Sequence, residues 1–220
     1  MVTRKIKSRL ASLQKKRQEV AAGLKQSKHV SLYRKFIHIL IGIVLLAIGY
    51  AVHYIYGDTI LATSIFRLLM LSIILDIFRV EFNCDFFLYT VFAKEKEQKS
   101  FTAITFGLLA VLLCLLLYGF PLTLAAVSMA HFSDAMAAII GIKFGRHRFK
   151  NGKSWEGSLA SLATNLLIGY FLIGAWYIFV PMALVATLTE LVLTHLDDNF
   201  VVPLFTGAVG KVLLFLLLKF

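Results

Sequence analysis

At 220 residues, with 59% hydrophobic and 16% charged residues and a mean hydropathy of +0.81, the chain carries more apolar surface than a soluble fold of its size can bury. This excludes an ordinary soluble domain and points to an integral membrane protein. The net charge of +11 is concentrated at the start: Arg4, Lys5, Lys7, Arg9, Lys15, Lys16, Arg17, Lys25 and Lys28 face one acid, Glu19, so the first 29 positions hold +8 of it.

No aromatic residue interleaves these charges, so the segment lacks the pattern of a nucleic-acid surface and fits anionic lipid headgroups. Ile6, Leu10, Leu13, Val20 and Leu24 recur near helical spacing, which predicts a basic amphipathic helix over residues 1–30 lying on the membrane. A solvated charged tail is the alternative. The segment lacks the apolar core and small-residue cleavage site of a secretory signal and is expected to remain.

Residues 31–220 read as one membrane-embedded domain. A helix needs about 20 mostly apolar residues to cross the hydrocarbon, and such runs fall near 36–56, 59–78, 101–119, 122–142, 157–179, 181–196 and 201–219. The expected fold is therefore all-α, a polytopic bundle of about seven transmembrane helices. Tight turns are expected at Tyr56-Gly57-Asp58, Gly119-Phe120-Pro121 and Val180-Pro181, and longer polar connections at 79–100 and 143–156. Cys84 and Cys114 are too few for a disulfide framework and read as packing residues.

Basic residues mark the cytoplasmic side of a membrane protein. Arg34 and Lys35, then Lys94, Lys96 and Lys99, then Lys143, Arg146, Arg148, Lys150 and Lys153 share one face if seven spans alternate. The N-terminus is then cytoplasmic, and Asp197, Asp198 and Asn199 lie on that same face.

Asp134 stands inside an apolar helix, where an ionised carboxylate is costly and calls for a cationic partner or a metal. Ala135, Ala138, Gly141 and Gly145 follow at three- and four-residue spacing, the pattern of close helix packing. The next loop gathers Lys143, Arg146, His147, Arg148, Lys150 and Lys153 ahead of a helix N-terminus at Ser154, where free amides, with Gly157 and Ser158, favour a phosphate. Topology alone would use such cations too, but has no need of Glu156.

Gly152-Lys153-Ser154 is not a Walker A loop, because His147 stands where that motif needs its first glycine and a membrane helix where it needs a strand. Asp197-Asp198-Asn199 offers hard oxygen ligands suited to Mg²⁺ together with substrate phosphates, and is equally the composition of a helix cap and turn. Arg67, Asp76, Glu190 and Lys211 are further charges at membrane depth; pairing of Arg67 with Asp76 or Glu190, and of Lys211 with Glu190, is expected. His38, His131 and His195 read as hydrogen-bonded packing residues.

Taken together, Tyr33-Arg34-Lys35-Phe36-Ile37-His38 through Gly42, Asp134-Ala135-Met136-Ala137-Ala138 with Gly141 and Gly145, Gly152-Lys153-Ser154-Trp155-Glu156-Gly157-Ser158, and Glu190 with Asp198-Asn199 and Pro203 resemble the CTP-dependent polyprenol kinase family. That family includes dolichol kinase, phytol kinase and the CTP-using diacylglycerol kinase, and is related to phosphatidate cytidylyltransferases. Ser133 replaces the glycine usual before the motif aspartate.

The resemblance implies an enzyme of the endoplasmic reticulum or a prokaryotic plasma membrane that moves the γ-phosphate of CTP to the hydroxyl of a membrane lipid alcohol. It implies a nucleotide bound by Arg34, Lys35, Arg146, Gly152, Lys153, Ser154, Gly157 and Asn199, a Mg²⁺ held by Asp134 and Asp198, and catalysis by Asp134, Asp198 and Glu156. A cytidylyltransferase making a CDP-activated lipid and a membrane transporter are the competing expectations. The sequence does not choose the lipid or the oligomeric state.

Overall fold

The computed structural model describes residues 28–82, 101–149, 151–193 and 196–218, so the basic segment before residue 28, His195 and Lys94, Lys96 and Lys99 lie outside the described residues. Among the described residues there are six α-helices and no strand beyond one bridge between Arg148 and Ser154. They are α1 (Lys28–Phe82), α2 (Ala103–Tyr118), α3 (Phe120–Phe144), α4 (Trp155–Leu172), α5 (Trp176–Val192) and α6 (Asp198–Leu218).

The first two expected spans form one element, α1, broken only at Gly57, whose φ of 79° and ψ of 178° lie outside helical space. A side chain there would strain a left-handed φ, and glycine avoids that cost. Among the described residues the seven expected runs fall in six helices, two of them in the two halves of α1. Leu32–Glu81, Phe120–Phe144 and Asp198–Leu217 are long and apolar enough to cross a membrane, while Ala103–Tyr118 and Trp176–Val192 are apolar but shorter.

The turn expected at Val180-Pro181 lies earlier. Gly174, at φ 74°, ends the α4 region, and Pro181 sits inside α5. The glycine reaches a backbone state that stops a helix, whereas a proline this near a helix start removes only one hydrogen bond. At Gly119 the expectation holds, with Pro121 in the first turn of α3.

The two halves of α1 pack on different neighbours. Residues 28–56 run antiparallel to α3: Lys35 meets Asp134, the His38 and His131 rings stack 4.0 Å apart, and His53 stacks on Phe120 at 3.7 Å. Residues 58–82 pack along α2, with Leu61, Ile65 and Leu69 against Leu112, Leu115 and Phe120. The far side of α1 is apolar and exposed at Phe36, Leu40, Val44, Phe66, Leu71 and Leu75, the reverse of a water-soluble fold and the surface that lipid requires.

Helix α3 is central. Leu122, Ala125, Ala126 and Met129 meet Ile178, Phe179 and Met182 of α5, and Met129 and Met182 are fully buried. Asp76 anchors α1 to the start of α2: its Oδ2 accepts from the Thr102 amide at 2.8 Å and from the Thr105 hydroxyl at 2.6 Å, while Arg79 lies 3.4 Å from Oδ1. Asp76 is therefore partnered by Arg79 and the threonines, not by Arg67, which is exposed, as is Lys211. Arg79 one turn away and the two threonines at the start of α2 satisfy this carboxylate.

The small residues after Asp134 do what their spacing predicts. A Cβ at Gly157 would lie 2.7 Å from the Ala137 carbonyl oxygen, and one at Gly141 would lie 2.9 Å from Ser154 Oγ, so α3 and α4 touch nearly backbone to backbone. Gly157→Ala should cost about 1–3 kcal/mol by overpacking. Thermal unfolding in detergent should show a lower midpoint than for Gly49→Ala, a glycine with open space around it.

Candidate active site at one end of the bundle

The helix directions bring chain-distant polar residues to a single end of the molecule. Lys35 comes from the start of α1 and Asp134 from the second half of α3; Lys153 precedes α4, and Glu190 closes α5. Lys35 Nζ donates to Asp134 Oδ2 at 2.5 Å. Lys153 Nζ donates to the Glu190 backbone carbonyl and lies 3.3 Å from Glu190 Oε1, whose partner oxygen Oε2 accepts from Ser161 Oγ at 3.1 Å. The two ion pairs, Lys35–Asp134 and Lys153–Glu190, therefore lie at the same end of the bundle. A crevice lined by Lys153, Ser158, Ser161, Thr187, Glu190 and Leu191 opens beside the second pair.

The basic loop aims Lys153. Phe149 N–H donates to the Lys153 carbonyl at 2.8 Å, the Arg148 guanidinium to the Gly152 carbonyl at 2.9 Å, and the Asn151 amide to the Leu191 carbonyl at 2.7 Å. Gly152 turns the chain at φ 84°, and Phe149 stacks on Trp155 at 4.7 Å. A short hairpin thus fixes the lysine backbone against the end of α5, where the last carbonyls carry partial negative charge and welcome an ammonium.

The expected phosphate cradle at the start of α4 is filled by the chain itself. Trp155 N–H donates to the His147 carbonyl at 2.9 Å, Gly157 N–H to Ser154 Oγ at 3.1 Å and Ser158 N–H to the Ser154 carbonyl at 2.9 Å. The Glu156 amide bonds its own carboxylate. The amides of Trp155, Gly157 and Ser158 are thus occupied within the chain, and Ser154 acts as the helix cap.

Glu156 Oε1 also accepts from the His147 backbone at 3.2 Å and meets the His147 ring at 3.0 Å. Its observed contacts fasten the Arg146–Arg148 stretch to α4. Arg146 contributes its backbone to this clamp, and its side chain is exposed. Asn199 donates from both its amides to Asp197 Oδ1 at 3.0 Å, and Phe200 and Val201 donate to the Asp197 carbonyl. The cap-and-turn reading of this stretch is therefore realised around Asp197, with Asp198 as the first residue of α6.

Glu190 is the residue that sequence reasoning undervalued. It stood out as an acid in an apolar run and in the family motif, yet received no role. Its signal was the spacing to Lys153, which only the α4–α5 hairpin converts into contact. Ser133 is fully buried, and its hydroxyl has no hydrogen-bond partner among the described residues.

Among the described residues no three His, Cys, Asp or Glu side chains are drawn together as a self-sufficient metal cage. Asp134 and Glu190, each paired with a lysine at this end of the bundle, fit the mode in which Mg²⁺ takes one or two protein oxygens and the rest from substrate phosphates and water.

A model of the cytidylyltransferase family matches residues 18–199, most of the chain and nearly every motif described above. The chain belongs to the cytidylyltransferase family. A relative of this family member, probable phytol kinase 3, chloroplastic, of Glycine max, is 32% identical over 111 residues, 43% of this chain and 35% of that protein's own length. No solved structure matches. The resemblance to CTP-dependent polyprenol kinases read from the motifs agrees with both matches.

The Glu156 clamp gives this family member a testable pH response. Its own amide first, then His147 and the Arg146 and His147 backbone, hold the carboxyl down from 4.5 to about 2. A lowered folded-state value means that the clamp's contribution is complete above pH 4.5 and fades as pH falls toward 2. Hydrogen exchange over residues 146–153 should stay slow from pH 7 to 5 in the wild type and be fast throughout in Glu156→Gln.

Proposed function

We propose that the protein is a CTP-dependent lipid kinase, transferring the γ-phosphate of CTP to the hydroxyl of a membrane lipid alcohol of the phytol, polyprenol or diacylglycerol class. The observation that carries the reading is the convergence of Lys35–Asp134 and Lys153–Glu190 at one end of a bundle whose outer surface is lipid-compatible. The phytol kinase named among the relatives supports the acceptor class. Phosphoryl transfer asks for cations on the phosphates, carboxylates for Mg²⁺ or the attacking hydroxyl, and exclusion of water, with little covalent chemistry from the protein.

In this reading Lys153 and Lys35 bind phosphate oxygens, with Arg34 and the exposed Arg146 side chain at the rim. Asp134, set within α3, accepts the proton of the acceptor hydroxyl as its oxygen bonds to the γ-phosphorus and CDP leaves. Asp134 and Glu190 are the oxygens available to Mg²⁺, which when bound neutralises charge developing on the phosphates; Asp198 extends that set from the start of α6. Glu156, Ser154 and Gly157 shape the loop that presents Lys153. The acceptor's tail stays in lipid beside α1 while its hydroxyl reaches Asp134. The distribution of basic residues supports a site facing the cytoplasm.

The description of the matching family favours one competing chemistry, cytidylyl transfer to a lipid phosphate. Labelled CTP separates the two: CDP and a phosphorylated alcohol support the kinase, and pyrophosphate with a CDP-lipid overturns it. A transport role draws no support from Arg67 and Lys211, which are exposed. Asp134→Asn and Lys153→Ala should each lower turnover by about 10²-fold or more while membrane insertion is retained. Initial-rate assays of the purified variants with CTP, Mg²⁺ and a panel of dolichol, phytol, farnesol and diacylglycerol check this, and wild-type rates in both would refute the assignment.

A further inference from the structure

Both lysines assigned to the nucleotide are already engaged, and each is engaged by an acid assigned to the metal side of the same reaction. Lys35 is 14% exposed and bonded to Asp134; Lys153 is 29% exposed and bonded to Glu190, itself 9% exposed at its side chain. Two cations and two acids cancel at this end of the bundle. Burying any one of the four alone would be costly, since an ion in a poorly solvated place needs a compensating partner.

A nucleotide arriving without metal must draw the lysines away and leave both carboxylates uncovered beside its own negative charge. A metal arriving without nucleotide must draw the carboxylates away and leave both ammonium groups uncovered. Only the two together replace every broken pair, phosphate for carboxylate at each lysine and metal for ammonium at each acid.

Resting on the nucleotide reading above, we propose that Asp134 and Glu190 act as stand-ins for phosphate, holding Lys35 and Lys153 until metal and nucleotide enter together, and that Glu190 is the residue that gates Lys153. Glu190 suits the part because its Oε2 is held by Ser161 while Oε1 faces the ammonium, so it is positioned whether or not the lysine stays. Binding is then coupled: each ligand raises the affinity of the other by the same factor.

The test is equilibrium binding of labelled CTP to the whole chain in detergent micelles, with Mg²⁺ and with a chelator. Wild-type protein should bind metal-free CTP at least about tenfold more weakly than Mg²⁺–CTP, a difference of about 1.4 kcal/mol. Glu190→Gln should bind metal-free CTP several-fold more tightly than wild type, because Lys153 is released from its acid. Asp134→Asn should do the same through Lys35. Asp58→Asn, which removes an exposed acid that pairs with His53 and with no lysine in the structure, controls for a general change in charge and should leave metal-free affinity within about twofold.

If metal-free CTP binds Glu190→Gln and Asp134→Asn no better than wild type while Mg²⁺–CTP still binds wild type, the gating inference is wrong and the nucleotide reading stands. A rise in Asp58→Asn equal to that in the other two would also overturn it, reducing the effect to net charge. Failure of wild type to bind CTP with or without Mg²⁺ would overturn the nucleotide reading itself. The two acid variants report on different helices, so misfolding of one, seen as loss of its size-exclusion peak, leaves the other to decide.

Discussion

The arrangement depends on what a charge requires where water is scarce. Neither Asp134 nor Glu190 can be ionised in an apolar bundle without a nearby cation, and each finds it on an element far away in sequence. Lys35 fastens the first half of α1 to α3, and Lys153 fastens the hairpin before α4 to the end of α5. Hydrophobic packing cannot choose among helix registers on its own, because apolar faces in lipid are interchangeable. The ion pairs, with the Asp76–Thr102–Thr105 anchor between α1 and α2, supply positions that only one register satisfies.

Close packing serves the same end. Gly141 and Gly157 let α3 and α4 approach until a methyl group would collide, which places the loop between them over the helix ends. The loop then has few conformations left, and its hairpin bonds and the Glu156 clamp remove most of those. Lys153 is therefore directed by backbone geometry more than by its own side chain, whose four-carbon stem would otherwise wander.

Much of this was legible in the chain. Apolar run lengths located every helix, and Gly57 and Gly119 marked breaks because a positive φ has few other occupants. The acids inside apolar runs announced that partners must exist. What the sequence could not give was the partner. Asp76 takes neighbours from its own turn and the next helix, leaving Arg67 outside, and Glu190 takes Lys153 and not Lys211. Pairing depends on which helices adjoin, and adjacency is a property of the fold.

The turn at Pro181 was misread for a related reason. A proline predicts the loss of one donor, and the end of a helix follows only if nothing nearby stops the chain more easily. Gly174 does so seven residues earlier. The start of α4 misled differently, since a helix N-terminus advertises empty amides in sequence, while Ser154 and Glu156, the residues that made it look inviting, are the ones that fill it.

Among the described residues, the tight corners at Gly57, Gly119 and Gly174 gather at the opposite end from the paired lysines and acids. Under the transfer proposed above, acceptor and product meet the bundle at one leaflet, and a product that gains a phosphate's charge loses easy passage through the hydrocarbon, so its use on the far side would require a separate carrier.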